Sequence, residues 1–229
     1  MQLSLFLLEG DEELLLLEAA RRAERSGLAA LWLPESNPAV LAAAVAVATR
    51  RLGVRAGGLA LPLHNPIRVA EEWSLVDNLS AGRVGIAFGS VDDPDEEIET
   101  VRRLWRGEAV RVPDGEGRPI EVRILPQPIQ PELPVWRTAA RDAAARGAHL
   151  LLAEPEGDRI AAYRAAGGSG RVTVTVPAFA SFEEGMRQTE RWQSLGVGEI
   201  ACRVRLAEAL DAVEILDAML REPEVRHGG

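Results

Sequence analysis

Short apolar runs alternate with helix-patterned segments along the chain, and this alternation constrains the fold most. Runs of five to eight residues recur eight times, and each is followed by a segment with helical periodicity. The predicted strands are residues 3–8, 28–34, 54–61, 83–89, 134–138, 149–153, 171–177 and 198–204. Eight consecutive βα units predict a minimal (β/α)8 TIM barrel of the α/β class, which we favour over a doubly wound parallel sheet.

The alternation pauses once, between the fourth helix and the fifth strand. Residues 108–112 and 120–125 flank a Pro-Asp-Gly-Glu-Gly sequence that is typical of a turn, and they predict an inserted antiparallel β-hairpin. The proline-rich stretch 126–134 that follows is the one candidate domain boundary. Because both sides of it are needed to close one barrel, residues 1–229 are predicted to form a single domain.

Composition excludes several classes of function. None of the 26 basic residues is a lysine, which excludes a P-loop lysine, a pyridoxal Schiff base and a lysine nucleophile. The formal net charge of −9 argues against nucleic acid or an anionic membrane as a partner. The single cysteine, Cys202, excludes an internal disulfide framework, and no histidine has a partner at metal-ligand spacing, so no metal is expected.

The beginning of the chain bears on its location. The first eight residues are apolar but lack a basic region, and acidic residues follow from Glu9 onward. This pattern predicts a first strand and not a signal peptide. No apolar run reaches the roughly 18 residues of a membrane helix. The sequence therefore predicts a cytoplasmic protein.

The candidate catalytic residues are those that follow predicted strands, because a barrel carries its chemistry at that end. Glu35 follows the second strand, and His64 follows the third. Each has a structural alternative: Glu35 forms a salt bridge or a cap at the rim, and His64 caps the helix that begins at Pro66.

Two arginines flank the end of the fifth strand. Arg137 and Arg141 stand on either side of Thr138 and could together bind a phosphate or carboxylate. The alternative is an ion pair with Asp142 or Glu154. The sequence leaves both interpretations open.

Two stretches carry a family resemblance. One runs over residues 61–84 and begins Leu-Pro-Leu-His-Asn-Pro-Ile-Arg; the other covers 99–107, 124–131 and 134–136, and weaker similarity covers 14–35 and 37–57. Together they lie between residues 14 and 136, a little over half of the chain. They closely resemble the bacterial luciferase-like, flavin-dependent monooxygenases, in the subgroup associated with natural-product gene clusters.

The resemblance implies a (β/α)8 barrel and a dimer through the helices after strands two and three. It also implies reduced FMN, supplied by a separate reductase, and oxygen insertion. The positions that correspond to the family's cofactor-binding segments are Ser90, Thr138, Ala139 and Arg141. At Arg141 the sequence departs from the family, because Arg-Asp-Ala replaces Gly-Asn-Pro.

The sequence departs from the family where the active-site loops should be. Glu35 continues into Ser-Asn-Pro in place of Arg-His-Phe, Ser90 into Val-Asp-Asp in place of a long loop, and the late insertion after strand seven is absent. These shortened loops predict a catalytically weakened or inactive barrel, which acts as a dimer partner or a flavin- or ligand-binding protein in a biosynthetic pathway. The alternative is a minimal FMN-dependent monooxygenase, active alone or with a partner subunit.

One predicted helix is apolar almost all round. Residues 38–48 contain no polar side chain, whereas an outer helix of a barrel normally keeps a polar face. An exposed apolar patch of this size would be a liability, so we predict that helices 38–51 and 66–79 form a dimer interface. The partner is a second copy or a full-length monooxygenase subunit.

Overall fold

The computed structural model describes residues 1–8, 15–36, 38–89 and 95–221. The strands in these ranges are β1 (Gln2–Leu7), β2 (Ala30–Leu33), β3 (Gly53–Leu59), β4 (Val84–Phe88), β5 (Val110–Pro113), β6 (Pro119–Val122), β7 (Val135–Arg137), β8 (His149–Leu152), β9 (Val172–Pro177) and β10 (Glu199–Val204). The helices are α1 (Leu16–Arg25), α2 (Pro38–Ala48), α3 (Pro66–Ser80), α4 (Asp95–Trp105), α5 (Ala140–Ala145), α6 (Gly157–Ala165), α7 (Phe182–Ser194) and α8 (Ala209–Arg221).

Eight of the strands close into a barrel. Its order is β1-β10-β9-β8-β7-β4-β3-β2, and every neighbouring pair is parallel. The remaining two, β5 and β6, pair antiparallel between α4 and β7, with Val110 opposite Val122. Both the predicted (β/α)8 barrel and its hairpin insertion are confirmed.

Aromatic rings fill the inside of the barrel. Phe6 stacks on Trp32 with ring centroids 6.0 Å apart, and Trp32 meets Trp136 edge-on at 5.1 Å. Room for the Trp136 ring comes from Gly85, since a Cβ at that position would lie 2.6 Å from the ring. The interior is therefore a packed core, as expected of a barrel of eight strands.

Two side chains fix the end of α2. The Glu24 carboxylate accepts hydrogen bonds from the backbone N–H groups of Arg50, Arg51 and Leu52 at 2.7, 2.6 and 3.1 Å. Arg83 donates to the carbonyls of Ala46 and Thr49, which α2 leaves unsatisfied. The predicted continuation of this helix to residue 51 is wrong, because those N–H groups bond to Glu24 instead.

Other predicted boundaries differ by a few residues. The third strand was predicted over residues 54–61, but β3 ends at Leu59 and Leu61–Leu63 forms a 3-10 turn. The helix after β3 is capped by Asn65, whose side chain accepts from the N–H groups of Ile67 and Arg68. The cap that was considered for His64 is thus wrong.

Candidate functional site

The carboxyl ends of the barrel strands form what we call the C-terminal face. Glu35 follows β2 and His64 follows β3, so both candidate catalytic residues lie at this face. Both side chains are exposed. Neither forms a side-chain hydrogen bond or an ion pair with another described residue, and the salt bridge considered for Glu35 is therefore not formed. A catalytic acid or base is usually oriented by a neighbour. Among the described residues, neither Glu35 nor His64 has a neighbour that would orient it.

The structure describes three of the four candidate cofactor residues. Ser90 lies outside the described residues. Thr138 and Ala139 alone separate β7 from α5, and Arg141 is exposed without an ion pair to any described residue. The carbonyl of Thr138 accepts a hydrogen bond from Arg159 at 2.5 Å. Arg159 was not predicted to lie at this face, although its place in the first turn of α6, the helix after β8, indicates that position.

Arg137 is not available to a ligand. Its guanidinium pairs with Asp142 at 2.6 Å and with Asp95 at 2.9 Å, and the side chain is only 11% exposed. The alternative of an ion pair with Asp142 is thereby confirmed, and that with Glu154 is not formed. A phosphate-binding pair of Arg137 with Arg141 is excluded by the same geometry.

The described part of the C-terminal face fits a flavin incompletely. A flavin needs donors for its phosphate and an enclosed pocket for its rings. Arg159 is already paired with Glu156 at 2.8 Å and bonded to the Thr138 carbonyl, which leaves the exposed Arg141 as the cation available to a phosphate after β7. An apolar cavity of about 30 Å³ lies between β1, β2 and α2, lined by Leu7, Leu8, Leu16, Pro34, Ser36, Leu41 and Leu206. That volume suits about one water, whereas ligand pockets hold roughly 300 Å³ or more. The described residues therefore offer one available arginine for the phosphate, and this cavity is too small for the ring system.

A polar cluster inside the barrel was not predicted from the sequence. Glu199 is fully buried at the start of β10, and its carboxylate accepts from Arg55 at 2.5 and 2.6 Å and from Arg171 at 3.0 Å. Ser4 and Trp32 also donate to it, at 2.5 and 3.2 Å. The only sequence signal was a charged residue within each of two apolar strands. The cluster lies at the amino ends of the strands, away from the C-terminal face.

The charges in this cluster support one another. Burial raises the pKa of Glu199, but the cations Arg55 and Arg171 and the Ser4 hydroxyl outweigh it and hold that pKa below its usual value. Arg55 lies between two aromatic rings, with its guanidinium carbon 4.9 Å from the Trp32 ring centre and 4.6 Å from that of Trp136. The arrangement keeps a carboxylate ionised in the core and positions the rings.

His149 borders this cluster as a neutral side chain. Burial, followed by the charges of Arg171 and Arg55, lowers the pKa of His149 to about 4. Its Nδ1 accepts a hydrogen bond from the backbone N–H of Arg171 at 2.9 Å. A neutral imidazole that accepts at Nδ1 carries its proton on Nε2, so His149 has one free donor.

His149 also lines a cavity at the opposite end of the barrel from the C-terminal face. The cavity has a volume of about 430 Å³ and lies between α4 and the segments that lead into β7 and β8. Its polar lining consists of Arg102, Arg106, Glu132, Arg146 and His149. It is more than ten times the size of the apolar cavity described above.

Neither a metal site nor a membrane-spanning helix is found among the described residues. No group of three or more histidine, cysteine, aspartate or glutamate side chains among the described residues could hold a metal ion. Within the same part of the chain, every helix is too short or too polar to cross a bilayer.

Comparison with known proteins identifies the relationship. Residues 15–99 match the family model described as luciferase-like monooxygenase. One relative is the oxygenase component of a flavin-dependent trigonelline monooxygenase from Acinetobacter baylyi. It is 29% identical over 156 residues, which cover 56% of this chain and 43% of the relative. The chain spans only 29 to 32% of the length of the first three curated relatives that it matches.

Solved structures share the fold over nearly the whole chain. Monooxygenase RslO1 from Streptomyces bottropensis has a TM-score of 0.77 at 18% identity, covering 96% of this chain and 99% of that one. The oxygenating constituent of 3,6-diketocamphane monooxygenase from Pseudomonas putida, solved in complex with FMN, has a TM-score of 0.74 at 13% identity, covering 98% of each chain. The sequence-based resemblance to luciferase-like monooxygenases is confirmed.

Proposed function

We propose that this luciferase-like barrel serves as one subunit of a dimer and that its own C-terminal face is catalytically weakened or inactive. The observation that carries the proposal is an exposed apolar surface on α2 and α3, which we call the α2–α3 face. Its members are Val40, Val47, Leu75 and Leu79, with exposed fractions of 71, 68, 50 and 44%.

Helix geometry places these side chains on two neighbouring stripes. Val40 and Val47 are seven residues apart, which is close to two helical turns, and Leu75 and Leu79 are one turn apart. The two helices pack against each other in the barrel wall. A continuous apolar surface on adjacent helices is typical of a protein interface.

The small residues of α2 favour close contact with a partner. Seven of its eleven positions are alanine or proline, so a second helix can approach its backbone closely. The basic and acidic side chains of the outer surface are absent from this helix. The proposed partner is therefore a second copy of this chain or the corresponding face of a full-length monooxygenase subunit.

The weakened C-terminal face is supported by the candidate residues themselves. Glu35 and His64 are exposed and lack a described neighbour that would orient them. The loops that follow β7 and β8 span residues 138–139 and 153–156, so they contribute little to a lid. Flavin chemistry needs a closed pocket that excludes water, and such short loops do not provide one. We place the protein in a cytoplasmic biosynthetic pathway, following the subgroup that the sequence resembles.

A minimal FMN-dependent monooxygenase is the second candidate. It is favoured by Arg141, which is exposed without an ion pair to any described residue and would contact the phosphate of a bound flavin. Flavin dependence of the trigonelline monooxygenase relative and the FMN bound to the diketocamphane enzyme support the same ligand. FMN would supply the redox chemistry, with a separate reductase providing it in reduced form.

One pair of measurements separates the candidates. Light scattering after size exclusion should give the mass of a dimer, either of this chain or with a co-expressed monooxygenase subunit. Titration with FMN should show weak binding or none, and oxygen uptake with NADH, a flavin reductase and FMN should not exceed the reductase blank. A monomer under both conditions overturns the subunit role. Tight stoichiometric FMN with substrate-dependent turnover overturns the weakened site.

A further inference from the structure

We propose that the cavity at the amino ends of β7 and β8 binds a small carboxylate, with Arg102 as the residue that holds it. We call this the Arg102 cavity. It lies between α4, residues 132–135 and residues 146–149, and its volume of about 430 Å³ accommodates a small organic acid. Its location at the end of the barrel opposite the C-terminal face separates it from any flavin site.

Arg102 is the arginine in this cavity with unused hydrogen-bonding capacity. Its Nη1 donates to the carbonyl of Arg146 at 2.9 Å. Its Nε is buried without an acceptor, its Nη2 has none among the described residues, and no described carboxylate lies within ion-pair distance of it. Buried donors in native proteins are normally satisfied. The Nε is enclosed by the protein and out of reach of a ligand, so the Nη2 group is the donor that Arg102 offers to a carboxylate oxygen.

The other two arginines of the cavity already have acidic partners. Arg106 pairs with Glu99 and Glu108, both at 2.9 Å. Arg146 pairs with Asp142 at 2.8 Å and also contacts Asp95. Their charges are thus balanced by direct ion pairs, whereas Glu99 and Glu132 act on Arg102 only from beyond ion-pair distance. Arg102 is therefore the arginine of this cavity to which a ligand can add a direct ion pair.

The remaining polar groups define the charge of the ligand. Glu132 lines the cavity 3.8 Å from Arg106 and would repel a second negative charge. His149 contributes its neutral Nε2–H donor. The cavity thus offers a cation without an ion-pair partner in Arg102, a neutral donor in His149 and a carboxylate in Glu132. This set of charges suits a ligand with a single negative charge, so a carboxylate is favoured over a phosphate dianion.

Chemical-shift titration of the intact protein tests this site. Acetate and inorganic phosphate are the probes, and sodium chloride at matched ionic strength is the control. Acetate should shift the backbone amide signals of Gly147 and His149 with a saturating curve, and phosphate should bind at least about threefold more weakly. Shifts that are linear in concentration, or equal in chloride, overturn the site. Tighter binding of phosphate overturns the assignment to carboxylates.

Variants identify the residues responsible. Arg102→Gln should weaken acetate binding at least about tenfold, whereas Arg103→Gln on the same helix should not change it, because Arg103 pairs with Glu108 outside the cavity lining. Unchanged binding in Arg102→Gln overturns the proposal. Glu132→Gln removes the repelling charge of a side chain that is 64% exposed, so it should fold and bind acetate about threefold or more tightly. Unchanged or weaker binding in this variant also contradicts the proposal.

Discussion

Arg55 and Glu199 form an ion pair inside the barrel, with one guanidinium nitrogen 2.5 and 2.6 Å from the two carboxylate oxygens. Glu199 is fully buried, and the side chain of Arg55 is only 10% exposed. The pair connects β3 with β10, which are three strands apart around the closed barrel. It therefore crosses the interior and sets the positions of the tryptophan rings on either side.

Removing one partner of this pair should destabilise the protein strongly. Arg55→Met leaves the Glu199 carboxylate in the core with Arg171 as its remaining cation, and the loss should be about 3 kcal/mol in the free energy of unfolding. Urea unfolding measures it. Arg22→Met, which breaks an exposed pair with Glu214, is the matched control and should cost less than about 1 kcal/mol. Equal losses in the two variants would contradict the role assigned to the buried pair.

The barrel could be predicted from the sequence because its signal is local. Each helix has its own periodicity, and each strand is an apolar run, as in β9 and β10, where predicted and observed bounds agree within one residue. Predicted helix boundaries are wrong where a side chain that is distant in sequence bonds to the backbone at the helix end. Glu24, on α1, ends α2 by accepting from Arg50 and Arg51, and no local pattern encodes that contact.

The polar sites could not be predicted in the same way. Arg55 and Glu199 meet only because the strands close into a barrel and both residues point inward. Arg102 and Arg146 are 44 residues apart in sequence, and the chain fold alone brings them to one cavity. A single sequence shows these as charged residues without showing their neighbours.

Lowering the pH should destabilise the protein through His149. Its pKa is about 4 in the fold and near 6.5 in the unfolded chain. Between these values the unfolded chain binds a proton that the folded protein does not, so stability falls as the pH is lowered from about 6.5 toward 4. His149→Asn keeps an acceptor for the backbone N–H of Arg171 without this titration. The difference between the urea midpoints at pH 7 and pH 5 should therefore be smaller in the variant than in the wild type. An equal loss of stability in both proteins would exclude His149 as the cause.

A methyl group at Gly85 should disturb the interior packing. Its carbon would lie 2.6 Å from the Trp136 ring, so Gly85→Ala should cost about 1–3 kcal/mol in the free energy of unfolding. Trp136→Phe makes room, and the double variant should lose less than the sum of the two single losses. Gly115→Ala, where a Cβ meets nothing within 4 Å, is the control. Additive losses in the double variant would show that the ring is not the obstacle.

Cys202 should be unreactive in the folded protein. The residue is buried in β10, and burial raises the pKa of its thiol to about 12, so almost no thiolate forms at neutral pH. Ellman's reagent should release no thiolate from the native protein within minutes and one equivalent after unfolding in guanidinium chloride. Full reaction of the native protein at pH 7.5 would show that β10 opens readily.

A charge on the α2–α3 face should dissociate the proposed dimer. Val47 is 68% exposed, and Val47→Glu would place a carboxylate among the apolar side chains of the partner, where an unpaired charge is costly. The dissociation constant from analytical ultracentrifugation should rise at least about tenfold, whereas the thermal stability of the monomer should change little because the side chain does not enter the core. Ile120→Glu, on the hairpin strand β6 and 44% exposed, should leave the dimer intact. A dimer that survives Val47→Glu but dissociates in Ile120→Glu would move the interface from α2 and α3 to the hairpin.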